Sequence, residues 1–229
     1  MGSSSPCELV ATVFPQEGVT MIRYVFAHEL HKYPHLVDGM FKDRTSQFRD
    51  RMKWDVAVDA NGWERDQYDA LAPLYIIYEN EDGTHGGSGR LMPTTGRTMI
   101  GEHFSHLTDG VVIQSPTIWE ITRLCISPNV KSAREAMKIT SSLLLAGIDA
   151  GLRFGLEFYV GVFDEPMLRV YKRLDFAPDV MGKSGEDRRA ICAGLWPCTQ
   201  EVRDAMARKV EEHQDIAAAA ARLEHVIGA

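Results

Sequence analysis

No run of eighteen apolar residues occurs in the 229-residue chain, so no segment of it reads as a membrane-spanning helix. Its start, Met1 to Pro6, has neither a basic stretch nor an apolar one, and no export signal is expected. Cysteine is scarce. Cys7, Cys125, Cys192 and Cys198 form no CxxC pair and have no histidine pair at zinc-finger spacing. That usage argues against a disulfide framework and a metal site, and it fits a reducing cytoplasm. Positive charge is also short: 25 Lys and Arg against 32 Asp and Glu leave a net charge of -7. A nucleic-acid binder needs the opposite surplus to neutralise phosphates, so an acidic partner would have to be met by a local patch.

The chain is 45% hydrophobic and 25% charged, which suits one well-buried core. Leu9 to Phe14 reads as a short strand, and residues 20–53 read as helical with a break near Pro34. Leu74 to Tyr78 is an apolar β-forming run, and Glu79 to Gly89 reads as a hairpin turn freed by Gly83, Gly86, Gly87 and Gly89. Beyond a loop at Pro93 to Gly96 come a strand at Ile118 to Ser127 and a helix at Ala133 to Phe154. Then follow a strand at Leu156 to Phe163, a short helix at Met167 to Leu174 and a strand at Arg189 to Leu195. This alternation predicts an α/β fold with a central mixed sheet flanked by helices. Residues 1–198 read as one domain and 199–229 as a helical extension. Its stripe of Val202, Met206, Val210, Ile216, Leu223 and Val226 suits either closure of the core edge or a dimer contact.

Charged residues gather in three places. Glu64, Asp66 and Asp69 stand within six residues, a density that equally describes a solvated turn. Arg44, Phe48 and Trp54 form a basic-aromatic stretch, with Arg44 and Phe48 on one helix face. An arginine beside an aromatic can hold a carboxylate and stack a purine, or simply make a surface ion pair. Glu120 and Arg123 lie in a β-like run, where side chains three apart point to opposite faces unless a bulge turns them together.

The order Arg44-x3-Phe48-x5-Trp54, Glu64-x-Asp66-Gln-Tyr-Asp69, Gly89-Arg90-Leu-Met-Pro-Thr-Thr-Gly96, Phe104 and Trp119-Glu120-x-Thr-Arg123 resembles the LuxI-type acyl-homoserine lactone synthases, in particular their rhizobial branch. The match is dense over residues 40–127 and loose to about 195. There, Tyr171 to Pro178 is similar to the corresponding part of the GCN5-related N-acetyltransferase fold, a three-layer sandwich. The resemblance implies acylation of the amine of S-adenosylmethionine from a thioester, followed by lactone closure with release of methylthioadenosine. S-adenosylmethionine is then a substrate, and no cofactor is implied.

Residue by residue, the resemblance places Arg44, Phe48, Trp54, Asp66, Asp69, Arg90 and Phe104 around S-adenosylmethionine, with Glu120 and Arg123 as the catalytic pair. Glu120 would take the amine proton, and backbone N–H groups at a bulge after it would stabilise the oxyanion. Leu124, Ile126, Leu143, Leu144, Gly161 and Val162 are candidates for the acyl pocket, each equally suited to ordinary core packing. Gly161 aligns where 3-oxo-selective members tend to have threonine, so a 3-oxo preference is unsupported, and a glycine there could lengthen the pocket. The wider N-acetyltransferase fold usually carries a glycine-rich pyrophosphate loop, yet Ser127 to Met137 contains no glycine. That favours an acyl carrier protein over acetyl-CoA, leaving acyl-CoA open as donor. Lys131, Arg134 and Lys138, three and four residues apart at the start of the next helix, form a candidate carrier-protein patch or a solvated face. The competing activity is N-acylation of another amine by acyl-CoA on the same fold. Oligomeric state is not legible.

Overall fold

The computed structural model describes residues 21–186 and 190–212. Seven strands form one twisted sheet: β1 (Met21–Phe26), β2 (Leu74–Glu79), β3 (His85–Pro93), β4 (Ile118–Ile126), β5 (Phe158–Asp164), β6 (Asp179–Ser184) and β7 (Ile191–Pro197). Their order is β1-β2-β3-β4-β5-β7-β6. Every neighbouring pair is antiparallel except β4 and β5, which run parallel and pair only over Ile118–Glu120 and Phe158–Val160. Past that short ladder β4 keeps only β3 and β5 keeps only β7. The sheet opens between them.

Helices cover both faces. Side chains alternate along a strand, and β2 shows the division: Leu74, Ile76 and Tyr78 join the core under α3 (Ala133–Arg153), while Tyr75 and Ile77 join the core under α1 (Pro34–Arg44). α3 is amphipathic, and Ile139, Leu143, Leu144, Ile148 and Gly151 face the sheet. Tyr171 of α4 (Met167–Arg173) packs on the same side with Phe163, Phe176 and Trp196. Ile100 of α2 (Met99–His103) lies on the opposite side with Leu107, Val160 and Ala193. Residues 200–212 are helical, and Met206 and Val210 are buried, so this segment closes the core edge. Ile216, Leu223, Val226, Cys7 and Leu9 to Phe14 lie outside the described residues. Cys125, Cys192 and Cys198 are free and buried, and no helix among the described residues is long and apolar enough to cross a membrane.

Two expectations need correction, and the break near Pro34 holds. Residues 21–26 are strand, not helix: paired with β2, they gain a ladder that local pattern does not reveal. The first α-helix starts at Pro34, where a missing N–H costs nothing, and continues as a π-helical turn over Thr45–Arg51. The hairpin turn is shorter than predicted, because Gly86, Gly87 and Gly89 belong to β3. Gly87 is there for close approach: a Cβ would lie 2.8 Å from the Ile139 side chain of α3 and 3.0 Å from the Cys125 carbonyl. Strand β6 has no counterpart among the elements expected from the sequence; its burial pattern is almost wholly exposed, as befits a polar edge.

Candidate active site

On the α1 face, the chain reverses at residues 59–62 to bring its acidic segment beneath the helix. Asp59 Oδ1 accepts the N–H groups of Asn61 and Trp63 at 2.8 and 3.0 Å, and Gly62 adopts φ +81°. A bridge between Val58 and Glu64, and a bond from the Glu64 N–H to the Phe41 carbonyl, lay Glu64 under α1. Asp66 then caps a 3-10 turn, Gln67–Ala70. Its Oδ1 accepts the Tyr68 N–H at 2.9 Å, and Asp69 Oδ2 accepts the Asp66 N–H at 2.8 Å. This reciprocal cap presents both carboxylates inward, so the density of acids reflects a buried site and not a solvated turn.

Three arginines meet those acids. Arg44, at the end of α1, donates to Glu64 at 2.6 Å and through two nitrogens to Asp69 at 3.0 Å each. Arg90, from the middle of β3, donates to Asp66 at 2.5 and 2.9 Å, to Asp69 at 2.8 Å and to the Thr122 hydroxyl at 2.9 Å. Arg123 approaches Glu64 at 2.9 Å and Asp66 at 2.8 Å. Tyr75 adds an O–H donated to Asp69 at 2.7 Å. Arg44, Arg90 and Glu64 are essentially without exposed surface. Burial alone would raise the Asp69 pKa, but Arg44 and Arg90 pull it well below the usual carboxylate range. Burial likewise opposes the charge on Arg44, and Asp69 and Glu64 more than offset it.

A bulge brings Arg123 to this face. Between Thr122, paired with Arg90, and Cys125, paired with Ser88, β4 carries one residue more than β3, and Arg123 adopts φ +54°. Adjacent Thr122 and Arg123 therefore both face the α1 side, and the bulge turns Arg123 toward the face that carries Glu120. Among the described residues the two form no ion pair. Both Glu120 oxygens instead accept backbone N–H groups from the first turn of α2, Met99 at 2.9 Å and Ile100 at 2.6 Å. Burial pushes the Glu120 pKa up; the Ile100 and Met99 amides and Arg90 oppose this, leaving it above its ordinary value.

Beside the ionic cluster, Trp54 folds back so that its N–H donates to the Phe48 carbonyl and its ring stacks on Phe48 at 5.1 Å. The Arg123 guanidinium lies 5.2 Å from the same Phe48 ring, and Trp54 is 40% exposed. Phe104 sits apart from this stack, half-buried with Ile100, Leu107 and Val160. Arg44 is enclosed by Glu64 and Asp69 and presents no surface to this stack.

Where β4 and β5 diverge lies a cavity of about 50 Å³. Leu124, Leu144, Gly161 and Val162 line it, along with Tyr159, Trp196 and the Thr122–Arg123 bulge. Of the acyl-pocket candidates, Ile126 and Leu143 do not: Leu143 is buried in the core under α3 and Ile126 packs against that core, so their apolar character serves packing. A Cβ on Gly161 would lie 2.9 Å from the Ile121 carbonyl, so the glycine permits close approach of the two strands. Lys131 and Arg134 are exposed and Lys138 half-buried. Lys131 precedes the Ser132 cap and stands outside the helix. Glu64, Thr122, Tyr75 and the α2 amides are additions to the site residues expected from the sequence. Glu64 lies within the acidic motif and Thr122 within the motif from Trp119 to Arg123, whereas Tyr75 sits in a strand with no chemical signal of its own.

A family model described as autoinducer synthase matches residues 27–206. An acyl-homoserine-lactone synthase of Rhizobium etli is 37% identical over 183 residues, covering 79% of this chain and 86% of that protein. The crystal structure of the AHL synthase LasI superposes with a TM-score of 0.73 at 26% identity, covering 82% of this chain and 95% of that one. A putative N-acetyltransferase from Lactobacillus plantarum shares the fold at a TM-score of 0.52 and 12% identity, over 78% of this chain and 99% of that one. The chain belongs to the autoinducer synthase family.

Proposed function

We infer that this protein is an acyl-homoserine-lactone synthase, acylating the amine of S-adenosylmethionine from an acyl thioester and then closing the lactone. The observation that carries the reading is the position of Arg123. It touches the ionic cluster and the Phe48–Trp54 stack, and it lines the apolar cavity between β4 and β5. An amine substrate on the first side and an acyl chain on the second would meet at the β4 bulge.

S-adenosylmethionine binds beside Phe48 and Trp54, whose exposed indole supplies a face for its adenine. Arg123 is the least enclosed of the three arginines and takes the carboxylate, while Arg44, Arg90, Asp66 and Asp69 hold the pocket in shape. The substrate amine is protonated in neutral water and must lose a proton before nitrogen attacks the thioester carbonyl. Glu120 accepts that proton through a water molecule, since its own oxygens have no exposed surface. Nitrogen then bonds to the acyl carbon, the oxyanion is met by N–H groups of the bulge, and the thiolate leaves. In the second step the methionyl carboxylate attacks its own γ-carbon and expels methylthioadenosine. The sulfonium is already a good leaving group, so this step needs a folded conformer more than an acid. No cofactor enters either step.

An acyl carrier protein is the donor this chain suits, because the exposed Lys131 and Arg134 stand within a glycine-free stretch ill-suited to a CoA pyrophosphate. The reading is tested by incubating the protein with S-adenosylmethionine and a pool of carrier-protein and CoA thioesters, with products identified by mass spectrometry. Glu120→Gln should lower turnover by about 10²- to 10⁴-fold with little change in S-adenosylmethionine affinity, and higher pH should restore part of it. A folded Gln variant with near-normal turnover at neutral pH would overturn the role of Glu120. Methylthioadenosine release without acylated product would overturn the reaction itself.

A further inference from the structure

The amides that hold Glu120 belong to α2, a helix of five residues with little core of its own: only Ile100 is buried. A second set of contacts holds this helix from the acidic turn. Tyr68, between the two site aspartates, is 1% exposed and donates its O–H to Glu102 at 2.8 Å. Arg97 grips the same carboxylate at 2.5 and 3.0 Å. Next to Tyr68, the Gln67 side chain lies 3.3 Å from His103 Nε2. The Tyr68 ring also packs under Arg90, whose guanidinium carbon is 5.6 Å from its centroid.

We propose that Tyr68 is a positioning residue. By clasping Glu102 it fixes α2 on the Asp66–Asp69 turn, and so keeps the Met99 and Ile100 amides on Glu120. The catalytic consequence rests on the reading of Glu120 as the base, whereas the clasp does not. Arg90 and Asp66 are the charged groups facing Glu120, and Arg90, Arg97, Glu102 and His103 surround Tyr68. Loosening α2 removes amide donors that favour the carboxylate, so Glu120 would bind its proton more tightly and lose activity at a higher pH.

The experiment measures two quantities on the full chain for Tyr68→Phe, Glu102→Ala, the double variant and Glu102→Gln. The first is amide hydrogen exchange at Met99 and Ile100; the second is the pH dependence of turnover. Tyr68→Phe and Glu102→Ala should each speed exchange at these two amides by about tenfold, the size expected for one lost hydrogen bond to a charged group. Both should move the acid limb of the pH profile upward and lower turnover, with the Michaelis constant for S-adenosylmethionine unchanged. The double variant should add nothing, and Glu102→Gln, whose amide oxygen still accepts the tyrosine proton, should retain wild-type behaviour. Glu102 lies at the surface, so its variants report even if Tyr68→Phe fails to fold. Unchanged exchange at Met99 and Ile100 in Glu102→Ala would overturn the clasp. Faster exchange with an unmoved acid limb would instead overturn the link to the base and count against the role of Glu120.

Discussion

Arg44 and Asp69 form a two-pronged pair, Nη1 to Oδ1 and Nη2 to Oδ2 at 3.0 Å each, with both side chains about 1% exposed. Arg44 thereby neutralises two acids away from water, and its removal would leave Glu64 and Asp69 short of a partner. Arg44→Ala should therefore destabilise the fold by about 3–5 kcal/mol. Denaturant unfolding checks this. Unaltered stability with a raised Michaelis constant for S-adenosylmethionine would mean that Arg44 meets substrate directly.

Trp54 should behave in the opposite way. Its ring is 40% exposed and rests on Phe48 at the open side of the ionic cluster. Trp54→Ala should leave the unfolding midpoint nearly unchanged and raise the Michaelis constant for S-adenosylmethionine at least about tenfold, as for an aromatic anchor. The constant for the acyl donor should stay put in steady-state assays.

Gly161 governs how close β5 comes to the Ile121 carbonyl, and it also lines the cavity. A methyl group 2.9 Å from that backbone oxygen has no flexible neighbour to push aside. Gly161→Ala should cost about 1–3 kcal/mol in stability. It should also shift donor preference toward shorter acyl chains, measured by competition between thioesters of different length.

The basic residues before and within the first turns of α3 give a prediction about association. Reversing Lys131 and Arg134 to glutamate should slow turnover with acyl carrier protein at low salt, and added salt should shrink the difference from the parent. Turnover with acyl-CoA should change far less. Equal rates with carrier protein at low ionic strength would remove this patch from the docking surface.

The sequence discloses the parts of the fold in which local pattern and tertiary demand agree. α3 is legible to within a residue because its apolar positions repeat with the helical period, and β4 because it is a run rich in β-branched and aromatic residues. β1 reads as helix because its apolar residues, Met21, Ile22, Tyr24, Val25 and Phe26, do not alternate with polar ones, and only pairing with β2 makes them strand. The charged side chains of the site are recoverable from motif order, but their partnerships are not. Motif order groups Glu120 with Arg123, and in the fold Glu120 faces two amides of a short helix that no periodicity announces. Such a contact depends on a loop closing over the sheet, which the residues flanking Glu120 do not encode.

The left-handed backbone at Arg123 sets a cost against a gain at one position. Among the described residues, the other non-glycine residues with positive φ, Lys53, Ala72, Asp109 and Asp175, all lie in turns or loops, and Arg123 alone is inside a strand. A side chain there costs roughly 1 kcal/mol relative to glycine. The ion pairs of Arg123 with Asp66 and with the fully buried Glu64 offset that cost, because a glycine would leave the two acids short of a partner. The strand therefore keeps a left-handed arginine where local backbone preference alone asks for glycine.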